Sequence, residues 1–305
     1  MPTCTVVVPC FNRAGLLGDC LKSLLAQTFS DWEAVVVDDA STEGGIEEVV
    51  QGFRDARLTY VRHEANRGPG ASRNTAIKHS TSPLIFTLDS DDLLEERCLE
   101  RLVPMLDADP TADCAYPDLA MFGSRSGVLR FGVGDERRMV QEQWVPGPGC
   151  LFRRSLWERL GGYSEAEALS VGNEDWDFYL TATEFGFKAS HLAEPLYRYR
   201  IGLASTSTRL RYHDYQTREF IYARHRSLFD RYRAGRSFRA SGYRSSAMAT
   251  LAAGERWLAV RLAIHGWLLQ PANQASVFTV LTCLAPRVVV SAVRSLRQSR
   301  RGAPP

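Results

Sequence analysis

Leu84-Ile85-Phe86-Thr87-Leu88-Asp89-Ser90-Asp91-Asp92 joins an apolar run directly to an acidic tetrad. Five apolar or β-branched residues in a row read as a buried strand. Three carboxylates then fall within four residues at its carboxyl edge. Like charges so close repel unless something positive sits among them. A hard divalent cation, Mg²⁺ or Mn²⁺, held by one or two carboxylates and by substrate phosphates, meets that need. The plainer reading is a solvated acidic turn that caps a helix starting near Leu93.

Working outward, strand and helix periods alternate over the first 120 residues. Thr5 to Val8 reads as a buried strand, and Leu16, Leu17, Cys20, Leu21, Leu24 and Leu25 repeat at helical spacing. Glu33 to Val37 and Leu58 to Val61 read as strands. Ile46, Val49, Val50 and Phe53 mark a helix, as do Gly70 to His79 and Cys98 to Leu106. Cys114-Ala115-Tyr116 is a candidate fifth strand. Such alternation implies right-handed parallel crossovers and a sheet with helices on both faces. From 120 to 205 the pattern weakens, with short helices expected over Phe152–Leu160 and Trp176–Phe185. Residues 245–269 and 277–296 read as two tail helices, the second interrupted at Pro286.

Ligands of such sheets bind at the carboxyl ends of the strands, and four more clusters fall there or beyond. They are Val8-Pro9-Cys10-Phe11-Asn12-Arg13, Val37-Asp38-Asp39-Ala40-Ser41, the run Asn66 to Asn74 with Gly68 and Gly70, and Asn173-Glu174-Asp175-Trp176. With the acidic tetrad, in this order and spacing, they resemble the inverting family 2 glycosyltransferases of GT-A fold. The resemblance covers residues 3–205. It implies a Rossmann-like, mostly parallel sheet. Residues 1–120 would be the nucleotide-sugar half, 121–205 the acceptor half and 206–305 a helical, Arg-rich extension.

The resemblance also implies roles. Asp39 would contact the nucleobase, and an acceptor at that strand end suits the N3–H of uracil. The alternative for Asp38 and Asp39 is turn capping toward Ser41. Backbone near Pro9 and Phe11 would flank the base. Asp89 would meet ribose or metal, and Asp91 would be the principal metal ligand, with Mg²⁺ or Mn²⁺ as cofactor. Asp92 is expected to serve the N-terminus of the following helix.

Arg73, read as lying in the first turn of its helix, faces an unfavourable dipole there, and nucleotide contact would explain it. An ion pair with Asp38 or Asp91 is the other explanation. Asp175 is the candidate general base for the incoming hydroxyl, with Glu174 as the alternative. Both acids are equally suited to capping their helix. Many relatives carry a metal-ligating His after a Tyr-Arg segment. Here Tyr197-Arg198-Tyr199-Arg200 has none, so Arg198 or Arg200 is a candidate to hold the diphosphate instead. The Arg-rich stretch 198–244 fits a lid, an acceptor-phosphate site or solvated helix faces.

Composition bounds the rest. With 305 residues, 45% hydrophobic and 24% charged, the chain is globular. Residues 256–305 carry seven Arg and no Lys, Asp or Glu, which leaves 30 basic and 35 acidic residues, a net −5, over 1–255. No basic, aromatic-studded groove suggests a nucleic-acid partner. The expected partners are a nucleotide-diphospho-sugar and a glycan or lipid-linked acceptor. The tail suits contact with the inner surface of a membrane, packing on the catalytic body, or a homodimer contact. Seven Cys without a CxxC pair, and no visible signal peptide, fit a cytoplasmic, reducing setting. Two other functions compete: a nucleotidyltransferase, and an inactive sugar-nucleotide-binding subunit. The Pro9-Cys10-Phe11-Asn12 run argues against the first, and the intact Asp91 and Asp175 against the second.

Overall fold

The computed structural model describes residues 1–202 and 206–285, with side chains from 210 in the second stretch. It divides into two units, Met1–Ser207 and Thr208–Pro305. The strands are β1 (Cys4–Cys10), β2 (Trp32–Asp38), β3 (Leu58–Arg62), β4 (Leu84–Thr87), β5 (Leu93–Leu94), β6 (Cys114–Gly123), β7 (Gly127–Leu129), β8 (Leu151–Arg153) and β9 (Ala189–Ile201). Helices of the first unit are α1 (Ala14–Leu25), α2 (Ile46–Gly52), α3 (Gly68–Lys78), α4 (Cys98–Ala108), α5 (Glu136–Gln141), α6 (Arg154–Leu160) and α7 (Glu174–Glu184). There follow α8 (Thr206–Arg224), α9 (Arg226–Arg231), α10 (Gly235–Ala252), α11 (Arg256–Leu269) and α12 (Gln274–Leu284).

The sheet of the first unit runs β3-β2-β1-β4-β8-β6-β9-β5, with β7 hanging on β6. The first half of the sheet, β3-β2-β1-β4, is wholly parallel. β1, β2 and β4 are buried on both faces, so Val6, Val7 and Val8 run without a polar break, whereas the edge strand β3 is only half-buried. Leu17, Cys20, Leu21 and Leu24 of α1 and Leu99, Leu102 and Leu106 of α4 join this core. The architecture is the mixed α/β sheet the sequence predicts.

Several expectations are corrected. The longest strand, β9, lies where the pattern seemed to fade. It pairs parallel with β6 and antiparallel with β5. Its residues alternate only weakly because half-buried positions fall on both faces. No helix starts near Leu93: the chain first makes β5, and α4 begins at Cys98. The helix after β3 begins at Gly68, with Pro near its start, so Arg73 lies beyond the first turn and bears no dipole penalty. The helix expected over Phe152–Leu160 starts at Arg154, because Leu151 to Arg153 pair with β4 and β6. Residues 245–269 are two helices broken at Gly254, whose φ of +94° suits glycine. The second tail helix ends at Leu284, and residues 286–296 lie outside the described residues. In 198–244 each of the three acids takes an arginine: Asp214 with Arg218, Glu219 with Arg239, and Asp230 with Arg226.

Candidate active site

The carboxyl ends of β1, β2 and β4 open on one edge, and the loops there are tied to each other. Asn12, in a left-handed turn after β1, donates its N–H to Ser41 Oγ and accepts from the N–H of Thr42 and Glu43. Pro9 and Phe11 lie half-buried beside it. Asp38 at the end of β2 is a structural acceptor for Ser41 N–H, Tyr60 Oη and Arg62.

Asp39 is buried and nearly saturated. Its Oδ1 lies 2.7 Å from His63 Nδ1 and accepts from Arg67 N–H at 2.9 Å, and its Oδ2 accepts from Gly68 N–H at 2.7 Å. It clamps the turn that opens α3. Gly68 is obligatory in that turn: its φ is +85°, and a Cβ there would lie 2.6 Å from Ser170 Cα. A carboxylate has about four acceptor positions, so one remains on Oδ2.

Arg73 is the hub of the site. It is buried, its guanidinium donates to Asp89 Oδ1 at 2.9 Å and pairs closely with Glu174 Oε1, and Tyr163 lies under it at 5.7 Å. Its partners are thus Glu174 and Asp89, not the Asp38 or Asp91 of the sequence reading. Burial works against its charge, but Glu174 and Asp89 more than offset that and hold it firmly protonated. Burial pushes Glu174 up to about 7, against the pull of Arg73 and with the help of Asp175. The physical cause is visible: Arg73 shares its charge between two acids, and the buried Glu174 Oε2 has no hydrogen-bond partner.

The three acids after β4 divide their duties. Asp89 is raised by burial, with Arg73 opposing and Asp91 adding to the shift. Asp92 does not cap a helix. Its carboxylate accepts from Tyr197 Oη at 2.7 Å and Arg200 N–H at 2.6 Å, which locks β9 against the turn. Asp91 points outward, half-exposed, with Arg13 Nε at 3.6 Å. Arg200 Nε donates to the Asp91 carbonyl at 2.6 Å while its guanidinium lies 4.5 Å over the Phe122 ring.

Among the described residues no three His, Cys, Asp or Glu side chains form a metal-binding group. The donor set still fits a hard cation of the open kind. Burial pushes Asp92 well up, and repulsion from the neighbouring Asp89 and Asp91 carboxylates adds to it. Asp91 is exposed enough to offer one carboxylate, and phosphate oxygens and water complete such shells.

Glu174 and Asp175 open α7 on the other side. Asp175 is part-exposed, its Oδ1 accepts from its neighbour Trp176 N–H at 2.8 Å, and its Oδ2 accepts from Gln143 Nε2 at 2.9 Å. The 146–149 loop presses against it: a Cβ on Gly147 would lie 1.7 Å from Asp175 Oδ2. Thr87 holds that loop by accepting from Cys150 N–H and donating to the Gly147 carbonyl at 2.9 Å. Sequence reading missed Gln143, Tyr163 and Tyr197. Only Tyr197 left a signal, in the Tyr-Arg-Tyr-Arg run.

One buried arginine therefore joins the LDSDD and NEDW segments, and residues 5–143 match the family model described as glycosyl transferase family 2. Residues 5–143 thus read as a family 2 glycosyltransferase domain. The chain is similar to EpsE of Bacillus subtilis (strain 168), 28% identical over 213 residues, 65% of this chain and 73% of that protein. Other relatives are longer, and the chain spans 24% and 31% of two of them. The transferase shares its fold with TarS 1–349 of S. aureus in complex with UDP-GlcNAc (TM-score 0.60, 19% identity, 92% of this chain and 90% of that one). It shares it too with the mannosyltransferase PcManGT of Pyrobaculum calidifontis in complex with GDP-Man and Mn²⁺ (TM-score 0.60, 22% identity, 97% and 87%).

Proposed function

We propose that this glycosyltransferase moves a sugar from a nucleoside-diphospho-sugar, UDP-linked, to a hydroxyl of a glycan or lipid-linked acceptor, with inversion at the anomeric carbon. The reading places the reaction in cell-surface glycan or polysaccharide synthesis on the cytoplasmic side. All seven cysteines are free and buried, which suits a reducing compartment. One observation carries the chemical reading: Arg73 bridges Asp89 on the donor edge and Glu174 at the start of α7. That bridge brings the two acidic motifs into one site, with Asp91 and Asp175 as the part-exposed carboxylates next to each anchor.

On the donor side, backbone near Pro9 and Phe11 flanks the base, and the open acceptor position of Asp39 takes the uracil N3–H. Arg73 and Asp89 set the diphosphate edge. Asp91, with Asp89 beside it, would hold Mg²⁺ or Mn²⁺, which when bound neutralises charge gathering on the leaving diphosphate. Arg200 supplies positive charge in the same place.

On the acceptor side, Asp175 takes the proton from the incoming hydroxyl. The freed oxygen bonds to the anomeric carbon as the bond from that carbon to the phosphate oxygen breaks, and its electron pair leaves on the nucleoside diphosphate. Attack opposite the departing group inverts the centre. Gln143 and the Gly147 turn fix the Asp175 carboxylate for this task. Glu174, buried and ion-paired, positions Arg73 rather than meeting the acceptor.

The test is Asp175→Asn. Donor affinity by calorimetry, with UDP and Mn²⁺ as probes, should stay near wild type. Turnover should fall by about 10²-fold or more. Near-normal turnover would move the base elsewhere, and lost UDP affinity would move Asp175 to the donor site.

A further inference from the structure

Helices α11 and α12 invert the usual division of residues. Their buried positions are mostly small: Ala259, Ala263 and Gly266 on α11, and Ser276, Thr279 and Cys283 on α12. Small residues let the helices approach closely, and a Cβ on Gly266 would lie 3.1 Å from Tyr243 Cβ of α10. The large apolar residues face out instead. Trp257 is 86% exposed, Leu268 63%, Leu281 61% and Leu284 57%. On α11, Trp257, Ile264 and Leu268 recur at helical spacing along one face. On α12, Val277, Leu281 and Leu284 do the same. Small residues at helix contacts with large apolar ones outside is the arrangement of helices whose outer face meets hydrocarbon. In water such faces mark an interaction surface.

Charge selects the occupant. Arg261 is exposed on the same face of α11, four residues from Trp257 and three from Ile264. Residues 256–305 carry seven Arg without one Lys, Asp or Glu. A two-fold contact between copies that paired these apolar faces would bring Arg261 of each copy into the same contact. An anionic lipid surface satisfies both features at once, with headgroups for the arginines and acyl chains for the apolar faces. Helices of 14 and 11 residues are too short to cross a bilayer core of about 30 Å. No helix among the described residues is long and apolar enough to cross.

We propose that α11 and α12 form a monotopic membrane element, which lies in the plane of an anionic leaflet and inserts Trp257, Leu268, Leu281 and Leu284 to the depth of the upper acyl chains. The inference rests on this unit alone and not on the donor or base assignments.

The experiment mixes the full chain with phosphatidylcholine vesicles, with and without phosphatidylglycerol, and with lipid brominated on the acyl chain. The protein should float with the anionic vesicles. Its tryptophan emission should be quenched by acyl-chain bromine, and Trp257→Phe should remove much of that quenching. Trp257→Ser combined with Leu281→Ser should weaken flotation at least about tenfold, with the melting temperature unchanged. The wild-type quenching decides the matter even if the double variant folds poorly. Three results would overturn the proposal: no flotation, flotation without bromine quenching that high salt abolishes, or a vesicle-free dimer that the double variant disperses. The second would mean adsorption through arginine charge alone, and the third a second copy of this chain.

Discussion

Glu174 and Asp175 are neighbours in sequence and opposites in environment. Burial and an unpartnered oxygen push Glu174 up to about 7 from an ordinary 4.5. The folded chain therefore keeps a proton that the unfolded chain sheds near pH 4.5. Stability from this group is fully present below that pH and is lost as pH rises through about 7. The loss amounts to about 3 kcal/mol by linkage. Glu174→Gln mimics the protonated form. In urea melts it should match wild type near pH 5 and exceed it near pH 8. A variant weaker than wild type at both values would mean that the Arg73 ion pair dominates instead.

Asp39 shows how far a single residue can be read from sequence. Its place at the strand end was legible, but its partners were not, because His63, Arg67 and Gly68 reach it only once α3 has docked. Asp39→Asn keeps the shape and loses an acceptor. UDP affinity should fall by about 1.5–3 kcal/mol, the value of a charge-assisted hydrogen bond. Unchanged affinity by calorimetry would confine Asp39 to its structural clamp.

At the scale of elements, β9 and the 146–149 loop do what no local pattern announced. β9 reaches the tetrad through Tyr197, whose hydroxyl accepts from Asp89 N–H and donates to Asp92. Tyr197→Phe leaves the buried Asp92 one partner short, which should cost about 1–3 kcal/mol in chemical denaturation. A loss below a few tenths would remove the lock. The loop makes a sharper prediction. Gly147→Ala drives a methyl into Asp175 Oδ2 and should displace the carboxylate by about an ångström. Turnover should drop by about 10²-fold while UDP affinity holds, since misplacement on that scale disables a positioned group. Unaltered turnover would show that Asp175 need not be held there. The sequence could signal neither contact. Gly147 looked like an ordinary loop glycine, and Gln143 carried no motif. Thr87 anchors the Gly147 loop from another strand, and Gln143 reaches Asp175 directly.

For the whole molecule, the parallel first half was legible because its strands and helices alternate at short range and its motifs sit at strand ends. The second half was not, because β6, β8 and β9 pair across long separations and the deciding contacts run through buried polar side chains. The tail was half-legible: its arginines and tryptophans stood out, but the outward turn of its large residues required the helices to be packed. On the proposed mechanism, the two acidic motifs joined by Arg73 make one site for single displacement from a UDP-sugar. Proton NMR of wild-type protein with Mn²⁺ and a panel of UDP-α-linked hexoses and N-acetylhexosamines, without acceptor so that water takes its place, tests this directly. The account predicts that one donor is consumed and that the first sugar to appear is the β-anomer. The α-anomer as first product, or no consumption of any donor, would contradict it.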